Sequence, residues 1–333
     1  MNVLRLREEM TAGAARQTGS LFSGGGQVIK AKAICRGDTV GLVSPSGPVR
    51  EETLLQGIAN LERMGLRVKM GRHVLDREHY LAGEDAARAG DMNDMFRDDS
   101  IAGIFCVRGG YGVTRILDML DYEGIRQNPK AVLGYSDITA LHLALWKKAE
   151  LVTFHGPMVA EMGDNFPRYN QDYMERALFS ARCMGLVDNP PGEGPVKVLC
   201  PGEAEGRIVG GNLSLLCSTI GTPYEIDTTG SVFFLEEVGE PPYKIDRMLN
   251  HLRMAGKFRD AGAIVFGQWT GCEDAKYPGH TAENLLEDIA REENKPCLSN
   301  LMIGHGRYNI TIPLGCRAVI ENGKLYLTES GVE

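Results

Sequence analysis

Short β-rich apolar runs alternate with helical apolar spacings through the first half of the chain. Thr39-Val40-Gly41-Leu42-Val43 reads as a strand that ends in a run of turn formers, Ser44-Pro45-Ser46-Gly47-Pro48. Glu51 to Met64 follows with Leu54, Leu55, Ile58 and Leu61 on one helical face. Arg67 to Met70 reads as a second, shorter strand, and Ala86 to Phe96 as a helix with Met92 and Phe96 on its apolar side. Ile101 to Val107 is a third strand that runs into Arg108-Gly109-Gly110-Tyr111-Gly112, and a helix is expected from near Val113 with Ile116, Leu117 and Leu120 buried. Ala131 to Leu133 gives a fourth strand, then a turn at Gly134-Tyr135-Ser136 and a helix from near Asp137. Strands and helices in alternation imply a parallel sheet, whose ligand cleft lies beyond the carboxyl ends of its strands. The loops at 44–48, 108–112 and 135–137 are therefore expected to gather at one place.

The texture changes after Leu151-Val152-Thr153-Phe154-His155, one more apolar strand. Residues 161 to 195 are polar and rich in Pro, Gly and Asn, which predicts a linker over 161–200. Beyond it the pattern predicts a strand at Ala204 to Val209, an apolar helix from Leu213, a strand at Ser231 to Glu237, a helix from Tyr243 to Ala255, a strand at Ala263 to Gly267 and a helix from Ala282 to Glu292. Short strands at 309–313, 317–321 and 324–328 close the chain. The expected organisation is α/β, with a flexible leader at 1–27, a parallel-sheet domain at 28–160, the linker, and a mixed α/β domain at 201–333.

Composition narrows the function. With 333 residues, 43% of them hydrophobic, a net charge of −8 and no Lys/Arg run, the chain suits a soluble globular protein and not a partner of nucleic acid or of an anionic membrane surface. Its eight cysteines fall singly, without metal-ligand or disulfide-framework spacing, as expected of reduced thiols in a cytoplasmic protein. No apolar run approaches the roughly 20 residues of a membrane span, and the first 27 residues lack the apolar core of a secretory signal.

Chemistry concentrates at Ser136. A strand, a tight turn and a helix start offer its hydroxyl to backbone N–H groups that have no intrahelical partner, a setting that favours a developing oxyanion. The turn matches the nucleophile elbow only in part, because Ile138 stands where G-x-S-x-G has its second glycine. A plain helix cap is the competing reading. The Gly109-Gly110-Tyr111-Gly112 loop fits neither G-x-G-x-x-G nor the phosphate-loop spacing; amides of Gly109 or Gly110, with that of Asp137, suit an oxyanion hole better. A serine nucleophile needs a base and an acid that orients it, in any chain order. His155 and His305 both follow apolar runs and precede glycine, so spacing leaves them level, and it leaves Glu236 and Glu237 level as the acid.

Several segments taken together resemble the LD-carboxypeptidase family of serine peptidases. They are Tyr80-Leu81-Ala82-Gly83, Arg108 to Gly112, Gly134-Tyr135-Ser136-Asp137 through His142, His155-Gly156-Pro157, Gly210-Gly211-Asn212-Leu213, Leu235-Glu236-Glu237 with Pro242 to Leu249, and Gly304-His305-Gly306. The match runs in order from about residue 29 to the end of the chain. The resemblance implies Ser136 as nucleophile, Glu236 as acid and His305 as base. It also implies a Rossmann-like first domain, a swivelling β/β/α-like second domain, a site between them and a homodimer; no cofactor or metal is expected, since H-E-x-x-H and cysteine-ligand spacings are absent from the sequence. The implied substrate is a murein tetrapeptide losing terminal D-alanine in cell-wall recycling. A carboxypeptidase also needs a cation for the free carboxylate; Arg108, at the mouth of the glycine turn, is the candidate, with Tyr111 beside it. A microcin-immunity-type hydrolase of aminoacyl-nucleotide-like conjugates and a non-catalytic peptide-binding protein are the alternatives.

Overall fold

The computed structural model describes residues 28–276 and 278–333; the expected leader at 1–27 lies outside them. In the first half, β1 (Thr39–Val43), α1 (Glu51–Arg63), β2 (Arg67–Met70), α2 (Asp85–Arg97) and β3 (Ile101–Cys106) alternate as the spacing predicts. After Gly112 the expected helix is instead two 3-10 turns, Val113–Arg115 and Leu117–Met119, followed by the short α3 (Tyr122–Gln127). The Asp121 carboxylate caps α3 by accepting from the Gly124 amide at 3.0 Å, which fixes a new helix start there. Next come β4 (Ala131–Gly134), a 3-10 turn at Ser136–Ile138, α4 (Thr139–Ala149) and β5 (Thr153–His155).

The region 161–200 is not an unstructured connection. It holds α5 (Arg168–Leu178), which buries Tyr173, Met174, Ala177 and Leu178, and two short strands, β6 (Gly185–Val187) and β7 (Lys197–Cys200). Beyond it lie β8 (Ala204–Asn212), α6 (Leu213–Thr219), β9 (Val232–Val238), α7 (Pro242–Met254), α8 (Lys257–Asp260), β10 (Ala263–Thr270), α9 (Ala282–Glu293) and β11 (Cys297–Ser299). The chain ends in β12 (Ile312–Leu314), β13 (Arg317–Glu321) and β14 (Lys324–Leu327).

Two sheets result. The first has the order β12-β5-β4-β3-β1-β2, parallel except for β12, which returns from the far end of the chain to pair antiparallel with β5. The second has the order β6-β14-β13-β8-β9-β10-β11-β7, with a parallel centre, β8 to β11, and antiparallel flanks. Strands of the parallel centres are buried on both faces, hence their near-continuous apolar runs such as Val132-Leu133 and Phe233-Phe234-Leu235.

The sheets meet at the carboxyl ends of β8 and β4. The Asn212 amide at the end of β8 donates to the Thr139 hydroxyl at the start of α4, at 3.0 Å. Gly211 allows this approach. Its φ is +144°, and a Cβ there would fall 2.6 Å from the Thr139 side chain. Gly211→Ala is therefore expected to lower stability by about 1–3 kcal/mol through overpacking at a backbone angle suited to glycine. Urea unfolding checks this: the midpoint should fall at constant m-value, and an unchanged midpoint would refute the tight seam.

Candidate active site

The three loops expected to gather do so, held by one carboxylate. Asp137 is buried, and its Oδ2 accepts from the Ser46 hydroxyl at 2.6 Å and from the Val113 amide at 3.0 Å. The Gly47 amide donates to the Gly109 carbonyl at 3.2 Å, closing the ring of contacts. Burial pushes the Asp137 carboxyl pKa up, while the Ser46 and Val113 hydrogen bonds and Arg88 pull it back.

Ser136 sits inside this ring with φ +65°, a left-handed conformation that costs a non-glycine residue about 1–3 kcal/mol. Gly134 makes the bend fit, because a Cβ there would lie 3.0 Å from the Ile138 side chain and 3.1 Å from Cys106. Ile138 packing against Gly134 is the physical counterpart of the missing second glycine. Neither the Ser136–Ile138 turn nor α4 has a side-chain cap, so the Ser136 hydroxyl is not spent as one. Gly109 is pressed against it: a Cβ at 109 would fall 3.1 Å from Ser136 Oγ. Among the described residues the amides of Gly110 and Asp137 donate to no backbone acceptor outside regular elements, and that of Asp137 opens a helix start.

From the second sheet come an acid and a base. Glu236, fully buried at the end of β9, accepts from His305 Nδ1 through Oε2 at 2.6 Å; its other oxygen has no partner. The two glycines around His305 seat the loop. Gly304, with φ +133°, lies where a Cβ would be 2.9 Å from Glu236 Oε2, and the Gly306 amide donates to the Gln268 side chain at 2.9 Å. Burial opposes charge on His305, but the Glu236 hydrogen bond and negative charge outweigh it and raise its pKa above the ordinary 6.5.

The His305 ring lies against Tyr135, one residue before Ser136, with centroids 4.6 Å apart. No hydrogen bond joins the His305 ring to the Ser136 hydroxyl; what the structure brings together directly is the His305–Glu236 pair and, separately, Ser136 with the glycine loop. Glu237 points elsewhere, accepting from Asn212 Nδ2 at 2.9 Å and from the Ser214 hydroxyl and amide at 2.6 and 2.9 Å, which anchors the start of α6. His155 is buried against Tyr135 and Phe234 with neither ring nitrogen bonded, and burial holds its pKa well below the usual range. His142, on the helix that follows Ser136, reaches back to the turn: Nε2 bonds the Gly134 carbonyl at 2.9 Å.

Arg108 is exposed, with Nη1 donating to the Pro48 carbonyl at 2.8 Å. It lines an open hollow of ≈ 560 Å³ with Tyr80, Gly110 and Tyr111, and the two tyrosine rings stand 5.9 Å apart. Sequence reasoning passed over Tyr135 and Glu161. The Tyr135 hydroxyl donates to Glu161 Oε1, and Glu161 Oε2 accepts from the Met158 amide at 3.1 Å. Glu161 fell in the presumed linker, so only its place just past the His155-Gly156-Pro157 turn hinted at it. Glu236→Gln should lower the His305 pKa, since the opposing effect of burial would lose its main counterweight. The His305 Cε1–H signal in an NMR pH titration reads this, and an unmoved midpoint would contradict the pairing.

Among the described residues no helix is long and apolar enough to cross a membrane. The chain matches the LD-carboxypeptidase N-terminal domain over residues 40–156 and the LD-carboxypeptidase C-terminal domain over residues 205–320. It is 41% identical over 308 residues to a Bacillus subtilis protein named "Probable murein peptide carboxypeptidase", covering 91% of this chain and 95% of that one. It is 32% identical over 293 residues to the Pseudomonas aeruginosa "Murein tetrapeptide carboxypeptidase", covering 86% and 94%. In fold it is similar to the microcin self-immunity protein MccF, named from Escherichia coli among the relatives: the TM-score is 0.83 at 24% identity, covering 92% of this chain and 100% of that structure. On these matches, which span both sheets and every loop of the site, the chain belongs to the LD-carboxypeptidase family.

Proposed function

We propose that this protein is a serine carboxypeptidase that hydrolyses the amide between the L-centre of a diamino acid and a terminal D-alanine in murein tetrapeptides. Ser136 is the nucleophile, His305 the base and Glu236 the acid that orients it. The observation that supports the reading is a left-handed serine at the end of a strand of one sheet, with the 2.6 Å His305–Glu236 hydrogen bond of the other sheet packed against the adjoining Tyr135. The substrate class rests on the names of the murein-acting relatives. A cytoplasmic homodimer in cell-wall recycling is the expected setting, and eight free thiols fit a reducing compartment.

The chemistry follows from the roles. His305 Nε2 takes the Ser136 proton as the alkoxide attacks the scissile carbonyl, and Glu236 stabilises the imidazolium. The amides of Asp137 and of Gly109 or Gly110 hold the oxyanion; loss of one such donor costs roughly 10²–10³ in rate. His305 then hands its proton to the leaving D-alanine nitrogen, and water, activated by the same imidazole, clears the acyl-enzyme. Proton transfer requires the imidazole to close on the hydroxyl, and catalytic hydrogen bonds commonly tighten when substrate binds. Arg108, with Tyr111 beside it, receives the free carboxylate of the leaving residue.

Release of D-alanine from L-Ala-D-Glu-meso-diaminopimelate-D-Ala tests the reading. Wild type should release it and Ser136→Ala should not, while binding the peptide with nearly unchanged affinity. Release by Ser136→Ala at the wild-type rate would dismiss the serine mechanism. Turnover of an aminoacyl sulfamoyl nucleoside in place of the peptide would favour the microcin-immunity alternative. Arg108→Lys should weaken the preference for a free over an amidated terminal carboxylate by about tenfold, because a lysine cannot reproduce bidentate pairing; an untouched preference would remove Arg108 from the carboxylate site.

A further inference from the structure

A hollow of ≈ 500 Å³ lies at the junction of the two sheets and contains none of the residues used in the mechanism above. Leu143 and Trp146 of α4 form one side of it, and Val209 of β8, Ile226 and Leu314 of β12 form the rest. Its volume suits a small organic molecule, and sites for such molecules concentrate where domains meet. Trp146 is a fixed wall: the Gly315 backbone leaves no room for a Cβ against its ring, and the Arg207 guanidinium stands 6.0 Å from its centroid. The lining also includes His142, whose Nε2 bonds the Gly134 carbonyl, so the hollow and the serine turn share a residue.

Four charged side chains line the hollow, and two of them are committed within the protein. Glu150 pairs with Arg126 at 2.9 Å and Glu225 with Lys257 at 2.6 Å. Lys147 and Asp227 are exposed at its mouth and make no ion pair among the described residues. Burial pushes the Asp227 carboxyl pKa up, but the Thr229 hydrogen bonds and the nearby ammonium groups of Lys147 and Lys257 bring it below its ordinary value, so Lys147 and Asp227 share one opening. An apolar hollow with one uncommitted cation and one uncommitted anion at its mouth complements a zwitterion on an apolar body, and the Trp146 ring favours an aromatic one. We propose that this hollow is a second ligand site, for a free amino acid with an aromatic side chain: the side chain enters against Trp146, Lys147 pairs with the carboxylate and Asp227 with the ammonium. Both charges are solvated, so each pairing contributes about three- to fivefold in affinity. A ligand of this size held in this way binds at about 1 mM.

Isothermal titration calorimetry of the full chain tests this with L-phenylalanine, phenethylamine, which lacks the carboxylate, and 3-phenylpropanoate, which lacks the ammonium. Phenylalanine should bind at about 1 mM and each analogue about three- to fivefold more weakly. Lys147→Ala should remove the preference over phenethylamine, and Asp227→Ala the preference over 3-phenylpropanoate; far-UV circular dichroism verifies that both surface variants are folded. No heat from phenylalanine, or equal affinity for the three compounds, overturns the proposal. A preference that survives both substitutions places the amino acid elsewhere, the carboxylate site at Arg108 included, and overturns it as well. Sedimentation velocity in which either substitution breaks a dimer, with no heat from phenylalanine, assigns the hollow to an interface between copies of the chain and overturns it too.

Discussion

The left-handed backbone of Ser136 is the constraint on which the site depends. A serine held at φ +65° opposes its own conformational preference, and it persists because neighbouring contacts over-determine it. The buried Asp137 carboxylate ties the 44–48 loop and the turn at 113 to the residue next to Ser136. Those bonds draw on three strands of one parallel sheet, so the strain at the serine is supported by the sheet rather than by the loop that carries it. A charged hydrogen bond in a buried setting contributes roughly 1.5–3 kcal/mol, enough to offset the strain. The position of the half-buried Ser136 and the helix start behind it follow from the same geometry.

The second sheet supplies what a parallel sheet with a serine turn lacks. Glu236 and His305, 69 residues apart in the chain, meet beside a bulge in β10, where the Gln268 amide donates to the Ile303 carbonyl at 2.9 Å and its side chain accepts from the Gly306 amide. Glu236 is wholly buried and would be costly as an isolated charge. Its hydrogen bond to His305 offsets that cost, and the same bond raises the pKa of His305. The seam at Gly211 and Thr139 then joins the second sheet to the helix that follows Ser136. The family match over both halves of the chain agrees with an architecture in which neither sheet is sufficient alone.

Much of this was legible before the structure. The period-two and helical spacings located nearly every strand and helix of the first half, and the carboxyl-end rule placed its three loops together. What escaped was non-local. Ile312–Leu314 reads as a strand, but nothing in its residues says that it pairs with Thr153–His155 of the first sheet. The 161–200 region looked like a linker because α5 shows solvent a strongly polar face and β6 and β7 are only three and four residues long. Val113 to Met119 has helical apolar spacing, yet the chain turns twice in 3-10 geometry before Asp121 restarts a helix. His155 and His305 have the same local signature, apolar run before and glycine after; only the packing of one against Phe234 and the bonding of the other to Glu236 separates them.

The central claim is that the Ser136 hydroxyl is activated by the imidazole that Glu236 holds. Labelling by a fluorophosphonate tests it most directly, with the rate of intact-mass gain followed from pH 5 to 9 and the modified residue mapped by peptide mass spectrometry. The account predicts a single adduct on Ser136. Its rate should rise through a midpoint above 6.5, as His305 loses its raised proton, and level off beyond it. An adduct elsewhere, no adduct at all, or a rate that climbs with hydroxide and never levels would contradict it.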